Sequence, residues 1–175
     1  MPTTEDPLRR LVEAALEGDD VAVGELVRLT QPAVWQVCTV LGSPGEVEDL
    51  VQETYLRALG ALARYRGEAP VRVWLLAIAR RVCADHVRRR QRRRRLFERV
   101  SGHTTELVAP AHEVVDDLLD VLAADRREAF VLTQLVGLGY EEAAAVVGCP
   151  IGTIRSRVAR ARADLLAAVT RAAAR

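Results

Sequence analysis

The chain has 175 residues, of which half are apolar and 4% are aromatic, and its formal net charge is +1. A core of this composition must be built from Leu, Val and Ala, and because no convincing alternating strand pattern is present we predict an all-α fold. Three scattered cysteines argue against a disulfide framework or a zinc site, and no apolar run resembles a signal core or spans a bilayer, so we expect a cytoplasmic protein without membrane insertion.

The small net charge conceals four blocks of alternating sign. Residues 61–99 hold 13 Arg against 3 acidic residues, and residues 151–175 hold 6 against 1. Residues 1–60 hold 11 acidic residues against 4 Arg, and residues 100–150 hold 9 against 2. Two basic blocks on an otherwise acidic chain suggest two separate contacts with a polyanion. Alternatively, blocks of opposite sign neutralise each other within the fold.

The first predicted helices lie in the acidic N-terminal block. Apolar residues recur at helical spacing over Leu8–Leu16. Asp19 or Asp20 can cap a second helix that runs from about Val21. Pro32 either lies near the start of a further helix or kinks one continuous helix.

The next predicted helix, Val47–Leu62, carries a polar face that includes Asp49, Gln52 and Glu53. Asp49 and Glu53 are four residues apart and therefore lie side by side. The pair has three interpretations: a solvated surface, a carboxylate pair for metal or acid–base chemistry, and a face that docks on a basic protein helix. No histidine stands beside the pair at helical spacing, which disfavours the metal site.

A loop rich in helix breakers, residues 64–70, contains the aromatic Tyr65 and precedes a helix predicted over Val71–Arg90. The polar face of this helix holds five charged residues: Arg80, Arg81, Asp85, Arg88 and Arg89. The run Arg88–Arg95 has seven Arg in eight positions. It forms either a disordered basic tail or linker, or a binding element for an anionic partner, because adjacent like charges repel.

Residues 96–113 have mixed polarity and are predicted to form a flexible linker. Fully extended, such a linker spans roughly 60 Å at about 3.3 Å per residue, which approaches two turns of DNA. We therefore predict two small helical domains, 1–95 and 114–175. Two domains joined by one linker can bind two separated DNA elements at once.

The stretch Gly139–Arg162 has the pattern of a helix, a tight turn and a second helix. Gly148 can adopt the left-handed conformation that ends a helix, and Pro150 cannot continue one. Ile154 begins the inner face of the second helix. The outer face offers guanidinium and hydroxyl groups: Arg155, Ser156, Arg157, Arg160 and Arg162. This arrangement favours the recognition helix of a helix-turn-helix that reads duplex DNA, over a merely solvated surface helix.

Three segments carry a family resemblance, to the extracytoplasmic-function group of sigma-70 RNA polymerase sigma factors. GYEEAAAVVGCPIGTIRSRVARARADL resembles their promoter-reading helix-turn-helix. EVEDLVQETYLRAL is similar to the segment that docks on the clamp helices of the largest RNA polymerase subunit. RYRGEAPVRVWLLAIARRVCADHVRRR resembles the loop and helix that open and read the upstream melted promoter element.

The resemblance implies a role for each matching residue. Residues 1–95 would be sigma region 2 and residues 114–175 sigma region 4. Three residues would bind core polymerase: Asp49, Gln52 and Glu53. Five would bind DNA near the melted element, with the first beside the pocket for an unstacked base: Tyr65, Arg81, Asp85, Arg88 and Arg89. Five on the recognition helix would read the distal duplex: Arg155, Ser156, Arg157, Arg160 and Arg162.

The chain also departs from the family pattern. Many relatives carry Asn where Arg81 stands, and their loop differs at Glu68–Val71, so the base preference is not carried over. No catalytic site, metal or cofactor is expected, since polymerase performs the chemistry. The resemblance adds an anti-sigma protein as a further partner.

Two other functions stay open at this point, a dimeric helix-turn-helix repressor that binds duplex DNA alone and a metal-dependent nuclease that uses Asp49 and Glu53. The charge blocks also predict a free protein that closes on itself, with acidic segments paired to the basic DNA-binding faces.

Overall fold

The computed structural model describes residues 6–43, 45–101 and 118–173, and every regular element in these ranges is helical. Seven α-helices have both ends within these ranges: α1 Pro7–Leu16, α2 Asp20–Leu41, α3 Val47–Ala61, α4 Val71–Ser101, α5 Ala124–Phe130, α6 Tyr140–Val147 and α7 Ile151–Ala173. Residues 118–120 are helical as well. A 3-10 turn, Leu62–Arg64, follows α3, and a π-helical turn, Val131–Leu135, follows α5. The all-α prediction is confirmed. Most of the predicted linker lies outside the described residues.

Helix α2 settles two alternatives that the sequence left open: which residue caps the helix, and whether it continues through Pro32. Asp19 is the cap, because its carboxylate accepts hydrogen bonds from the backbone N–H groups of Val21 at 2.8 Å and Ala22 at 3.2 Å. Pro32 lies inside one continuous helix of 22 residues. Since Pro32 is exposed, water can reach the carbonyl that loses its intrahelical partner.

Helix α4 is longer than predicted, because it continues through the arginine run to Ser101. Arginine is a good helix former, and no Gly or Pro interrupts the sequence between Pro70 and Gly102. The run Arg88–Arg95 is therefore a regular helix, with all eight side chains exposed, rather than an irregular tail.

The N-terminal half packs α2, α3 and α4 around a core of small aliphatic side chains. Val34 and Val37 from α2 meet Leu76 from α4, and each of the three is 0% exposed. Burying one such side chain stabilises the fold by about 1.5–3 kcal/mol. Helix α1 packs against α2, and the N–H of Val71 at the start of α4 donates to the Asp6 carboxylate at 2.7 Å. These contacts hold α4 at both its start and its middle.

The C-terminal half packs α5, the π-helical turn, α6 and α7 around Leu132, Ile154 and Val158. Gly148 ends α6 in the left-handed conformation, with φ of 77°, and its N–H donates to the Ala144 carbonyl at 2.8 Å. The predicted helix–turn–helix is thus confirmed, with α7 as its second helix.

The two halves do not lie apart. One contiguous apolar cluster runs through both, and α4 packs against α6. At this boundary the Arg72 guanidinium donates to the Val136 carbonyl at 2.7 Å. Arg80 forms a bidentate pair with Glu128, with N···O distances of 2.5 and 3.3 Å. The predicted pair of tethered modules is therefore a closed arrangement in this structure.

Candidate nucleic-acid and protein interfaces

Helix α3 presents a polar surface on the side opposite its buried face. Leu50, Val51 and Thr54 are buried, while Asp49 and Gln52 are exposed. Glu53 is half-buried beside them. The structure thus brings together the three residues predicted to bind a protein.

Leu56 extends this face by one turn and was missed from the sequence. It is 61% exposed, and its spacing of seven from Asp49 and four from Gln52 places it on the same side of α3. An exposed leucine bordered by polar residues is the composition of an interface centre. The spacing of Leu56 from Gln52 was a signal in the sequence, but the exposure of a leucine depends on what packs around its helix.

Arg57 joins the polar face of α3 to the polar face of α4. Its Nε donates to Glu53 at 2.7 Å, and a terminal nitrogen lies 3.3 Å from the Asp85 carboxylate. Arg88 approaches the other Asp85 oxygen at 2.7 Å. The hydrogen bonds from Arg88 and then Arg57 lower the pKa of Asp85 below its ordinary value. A predicted protein-binding residue and a predicted DNA-binding residue therefore share one cation.

Tyr65 and Trp74 form an aromatic pair where the loop meets α4. Their ring centroids are 5.2 Å apart with an interplanar angle of 50°. The Tyr65 hydroxyl donates to the Ala69 carbonyl at 2.6 Å, which fixes the ring against the loop. Burial raises the pKa of Tyr65, so its hydroxyl stays protonated and remains a donor.

A cavity of about 590 Å³ adjoins this aromatic pair. Its lining combines three guanidinium groups, one carboxylate, two rings and small apolar side chains: Arg64, Tyr65, Arg66, Glu68, Ala69, Val73, Trp74, Ala77, Arg81 and Ala145. Rings can stack on a base, and guanidinium groups can hold the adjoining phosphates. Arg81 is exposed and Asp85 half-buried on the same helix, and Arg88 and Arg89 follow in full exposure.

The recognition helix α7 buries one side and exposes the other. Ile154, Val158 and Ala161 are at most 1% exposed and pack α7 against the rest of the C-terminal half. The exposed residues include four of the five predicted readers: Arg155, Ser156, Arg160 and Arg162. The Ser156 hydroxyl donates to its own helix at Thr153, and Arg162 donates to the Gln134 side chain at 2.7 Å.

Arg157 differs from the other predicted readers. It is half-buried, and its Nε lies 3.2 Å from the Asp125 carboxylate at the start of α5. This pair ties the recognition helix to the rest of the second half. DNA could engage Arg157 only in competition with Asp125.

The closed arrangement affects the two basic faces unequally. Ala145 of α6 lines the cavity beside Tyr65, and Glu128 of α5 pairs with Arg80 of α4. The outer face of α7 stays exposed. The pair between Arg80 and Glu128 is one instance of the predicted neutralisation between a basic and an acidic block.

Among the residues that the structure describes, no group of three or more His, Cys, Asp or Glu side chains could hold a metal ion. Asp49 and Glu53 therefore have no third ligand of these types within those ranges. None of the helices in the described ranges combines the length and the apolar character needed to cross a membrane.

Comparison with protein families finds two matches in the predicted order. The model for sigma-70 region 2 matches residues 26–93, and the model for sigma-70 region 4 matches residues 112–165.

The chain is also similar to curated proteins over most of its length. The extracytoplasmic-function RNA polymerase sigma factor SigC of Mycobacterium tuberculosis is 43% identical, with 93% of this chain and 91% of that protein covered. The sigma-E factor of Escherichia coli is 33% identical, with 87% and 88% covered.

Two solved structures share the fold. The structure of CnrH in complex with the cytosolic domain of CnrY matches with a TM-score of 0.73 and 32% identity, covering 93% of this chain and 96% of that one. The sigma factor RpoE of Bartonella quintana, in complex with the anti-sigma factor NepR, matches with a TM-score of 0.70 and 30% identity, covering 85% and 96%.

Proposed function

The chain belongs to the sigma-70 family of RNA polymerase sigma factors, in its extracytoplasmic-function group, and from that premise we propose how its surfaces divide the work of promoter recognition. The protein directs promoter-specific transcription by RNA polymerase. The comparisons give no support to the dimeric repressor. Sigma factors are DNA-binding regulators, and we infer that this chain performs no chemistry itself and acts in the cytoplasm, where polymerase works.

The polymerase-binding surface is the polar face of α3. Asp49, Gln52 and Glu53 supply charge and hydrogen-bond acceptors that suit a basic helix of the partner. Charges at a rim increase the rate of association and fix orientation more than they add affinity. Leu56 adds an apolar contact at the same face.

The melted-element surface is the cavity between the Tyr65 loop and α4. An unstacked base can stack on the aromatic pair, and such stacking contributes about 1–3 kcal/mol per base. Arg81 lines the cavity as a cation, and Asp85 can accept from a cytosine amino group further along the helix. Binding of the opened strand stabilises melted DNA, which is how recognition is coupled to melting.

The distal duplex surface is the outer face of α7. Arg155 and Arg160 are exposed guanidinium groups on this face, and the exposed Ser156 and Arg162 lie beside them. A guanidinium can contact guanine O6 and N7 with two hydrogen bonds, or bind phosphate. The exposed face of α7, opposite its buried Ile154 side, is the observation that best supports a DNA-reading role for this half.

The closed arrangement must open before the melted element can be read. Ala145 of the second half lines part of the cavity, and Glu128 forms an ion pair with Arg80. We infer that binding to polymerase separates the halves, because it supplies the free energy that breaks this boundary. Small-angle scattering tests this step: a fully extended two-lobed particle at low and high salt alike would contradict closure of the free protein.

An anti-sigma protein is proposed as a further partner. RpoE, which shares 30% identity with this chain, was solved in complex with an anti-sigma factor. Binding of such a protein across the two halves would keep the closed or another inactive arrangement populated.

Run-off transcription with purified bacterial core polymerase tests the assignment as a whole. Discrete transcripts should appear from genomic DNA fragments only when the protein is added. The double variant Asp49→Arg/Glu53→Arg should abolish them and prevent co-migration with core on a sizing column. The matched control Asp20→Arg/Glu25→Arg makes the same charge change on α2, at the exposed Asp20 and the half-buried Glu25, and should leave transcription intact. Absence of transcripts and of co-migration for the unaltered chain would refute the proposed function.

A further inference from the structure

The cavity beside Tyr65 is built by both halves of the closed protein. Most of its lining comes from the loop before α4 and from α4 itself, and Ala145 of α6 completes it. The Ala145 side chain is exposed and takes no part in the core of its own half. Pockets for small ligands commonly form where two domains meet. The closed protein therefore holds a composite cavity that loses one wall when the halves separate.

The volume of the composite cavity suits a ligand of limited length. It measures about 590 Å³, within the range of about 300–1,000 Å³ that is usual for small-molecule sites. A single strand of DNA continues beyond a captured base in both directions. In the closed protein, however, α6 packs against α4, and Glu128 pairs with Arg80 beside the cavity. A ligand that ends within the cavity fits the closed form without displacing these contacts.

The charged groups of the lining favour an anion. Arg64, Arg66 and Arg81 are exposed, and within the described ranges none of them forms an ion pair with an acidic side chain. Arg80, by contrast, is held by Glu128. Guanidinium groups bind phosphate oxygens with two parallel hydrogen bonds. Three cations without an acidic partner around one cavity therefore suit a ligand that carries phosphate.

The rest of the lining favours a flat aromatic ring. Tyr65 and Trp74 are half-buried and offer part of their ring surfaces, and the buried Val73 adds an apolar wall. Bases stack on such rings, and a purine offers the larger surface. The Glu68 carboxylate can accept a hydrogen bond from the amino group of adenine or guanine. Rings, cations and one acceptor around a single cavity match a purine nucleotide.

We propose that the cavity of the closed, polymerase-free protein binds a purine nucleoside phosphate, with its base on the aromatic pair and its phosphates among the three guanidinium groups. This inference concerns the cavity assigned above to the melted element, and it rests on the closure of the free protein proposed there. A ligand that binds only the closed form shifts the population toward that form. The nucleotide therefore competes with strand capture, which needs the open form.

Calorimetric titration of the free, full-length protein tests the ligand class. The probes are adenosine diphosphate and guanosine diphosphate, and the matched controls are adenosine, which lacks the phosphates, and inorganic pyrophosphate, which lacks the base. We expect at least one nucleotide to bind, and each control to bind at least about tenfold more weakly, because each control lacks one set of contacts. A saturating nucleotide should also reduce the affinity of the free protein for the single strand of a mapped promoter.

Two variants test the composite site. Arg66→Gln removes one cation and should weaken nucleotide binding about tenfold. Ala145→Trp fills the cavity from the second half and should abolish binding. The matched controls Arg28→Gln and Ala167→Trp make the same changes at exposed positions outside the lining, and should change affinity less than about twofold. Circular dichroism and thermal unfolding check that all four variants fold.

Three results would overturn the proposal. Absence of binding by both nucleotides would remove the site. Pyrophosphate that binds as tightly as the nucleotides would leave a plain anion site without base recognition. Unchanged nucleotide binding in Ala145→Trp would place the ligand on the first half alone, so that it could not hold the halves together.

These outcomes are distinct from failure of the proposed function. If the unaltered chain supports polymerase-dependent transcription and binds neither nucleotide, only the nucleotide proposal fails. If it binds a nucleotide and gives no transcripts with core polymerase, the sigma assignment fails and the ligand site stands without it.

Discussion

Helices α4 and α7 both expose arginine on one side and bury aliphatic residues on the other, yet their basic faces differ in accessibility. On α7, Arg155 and Arg160 are exposed in the closed arrangement. On α4, Arg80 is held by Glu128, and the cavity near Arg81 is walled in part by Ala145 of the other half. A similar charge pattern can therefore mark an open surface in one place and a partly covered surface in another.

The asymmetry has a functional consequence for the order of events. A face that is already exposed can bind duplex DNA without rearrangement. A covered face becomes accessible only after the halves separate. A site that is available in only a fraction of molecules binds with an affinity reduced by that fraction. Duplex recognition by α7 would therefore precede strand capture by α4.

Removing an open arginine should have the largest effect. We expect Arg155→Ala to weaken holoenzyme binding to promoter duplex by roughly 5- to 150-fold, because a bidentate guanidinium–base contact is worth about 1–3 kcal/mol. The control Arg171→Ala removes an equal charge from the far end of α7, where Arg171 bonds to its own helix at Ala167. It should change affinity by less than about twofold. Similar losses of affinity for both variants would show that the overall positive charge of α7, and not specific contacts from its outer face, accounts for DNA binding.

Releasing the covered face should have an intermediate effect. Glu128→Gln keeps the shape of the side chain and removes the charge that holds Arg80, whose own side chain is 27% exposed. If the pair contributes about 1 kcal/mol to closure, the free protein should bind the single strand of a mapped promoter about fivefold more tightly. Its radius of gyration from small-angle scattering should also rise.

Glu25→Gln is the control for this experiment, because Glu25 also forms an ion pair with an arginine, but its partner Arg28 lies in the same helix and not across the boundary. An unchanged strand affinity and radius in Glu128→Gln would mean that the apolar contacts between α4 and α6 maintain closure without the ion pair.

The smallest effect is expected at the link between α3 and α4. Arg57→Gln should raise the pKa of Asp85 toward its ordinary value, with Arg88 still lowering it. Because the pKa of Asp85 is lower in the folded protein than in the unfolded chain, its ion pairs stabilise the fold above the unfolded pKa of about 3.9 and are lost as pH falls through the folded pKa. The variant should lose part of this dependence on acid pH. NMR titration of the Asp85 carboxyl measures it, and an unaltered midpoint would contradict the contact.

Much of the fold could be predicted because it depends on local signals. The cap at Asp19, the turn at Gly148 and the apolar spacing of α7 each act within a few residues, so the helices and the helix-turn-helix were predictable. The length of α4 was underestimated because seven arginines were expected to resist helix formation. Helix propensity and solvent screening outweighed that repulsion.

Some features of the candidate surfaces could not be predicted from the sequence. Leu56 was missed because exposure of a leucine is decided by what packs around the helix. The pairing of Arg157 with Asp125 could not be expected, since these residues are 32 positions apart and meet only when α5 packs on α7. The roles assigned to the individual site residues stay predictions until the experiments above are performed.

By itself the sequence determined the helical class, the two region motifs and the family, because these depend on composition, on spacing within a helix and on contiguous segments. Only the tertiary structure decided which charges are available. The Arg80–Glu128 pair, the Arg57 bridge and the cavity wall at Ala145 join residues distant in the chain. Such contacts depend on how the helices pack, and the surface that remains exposed after packing is the surface that can bind polymerase or DNA.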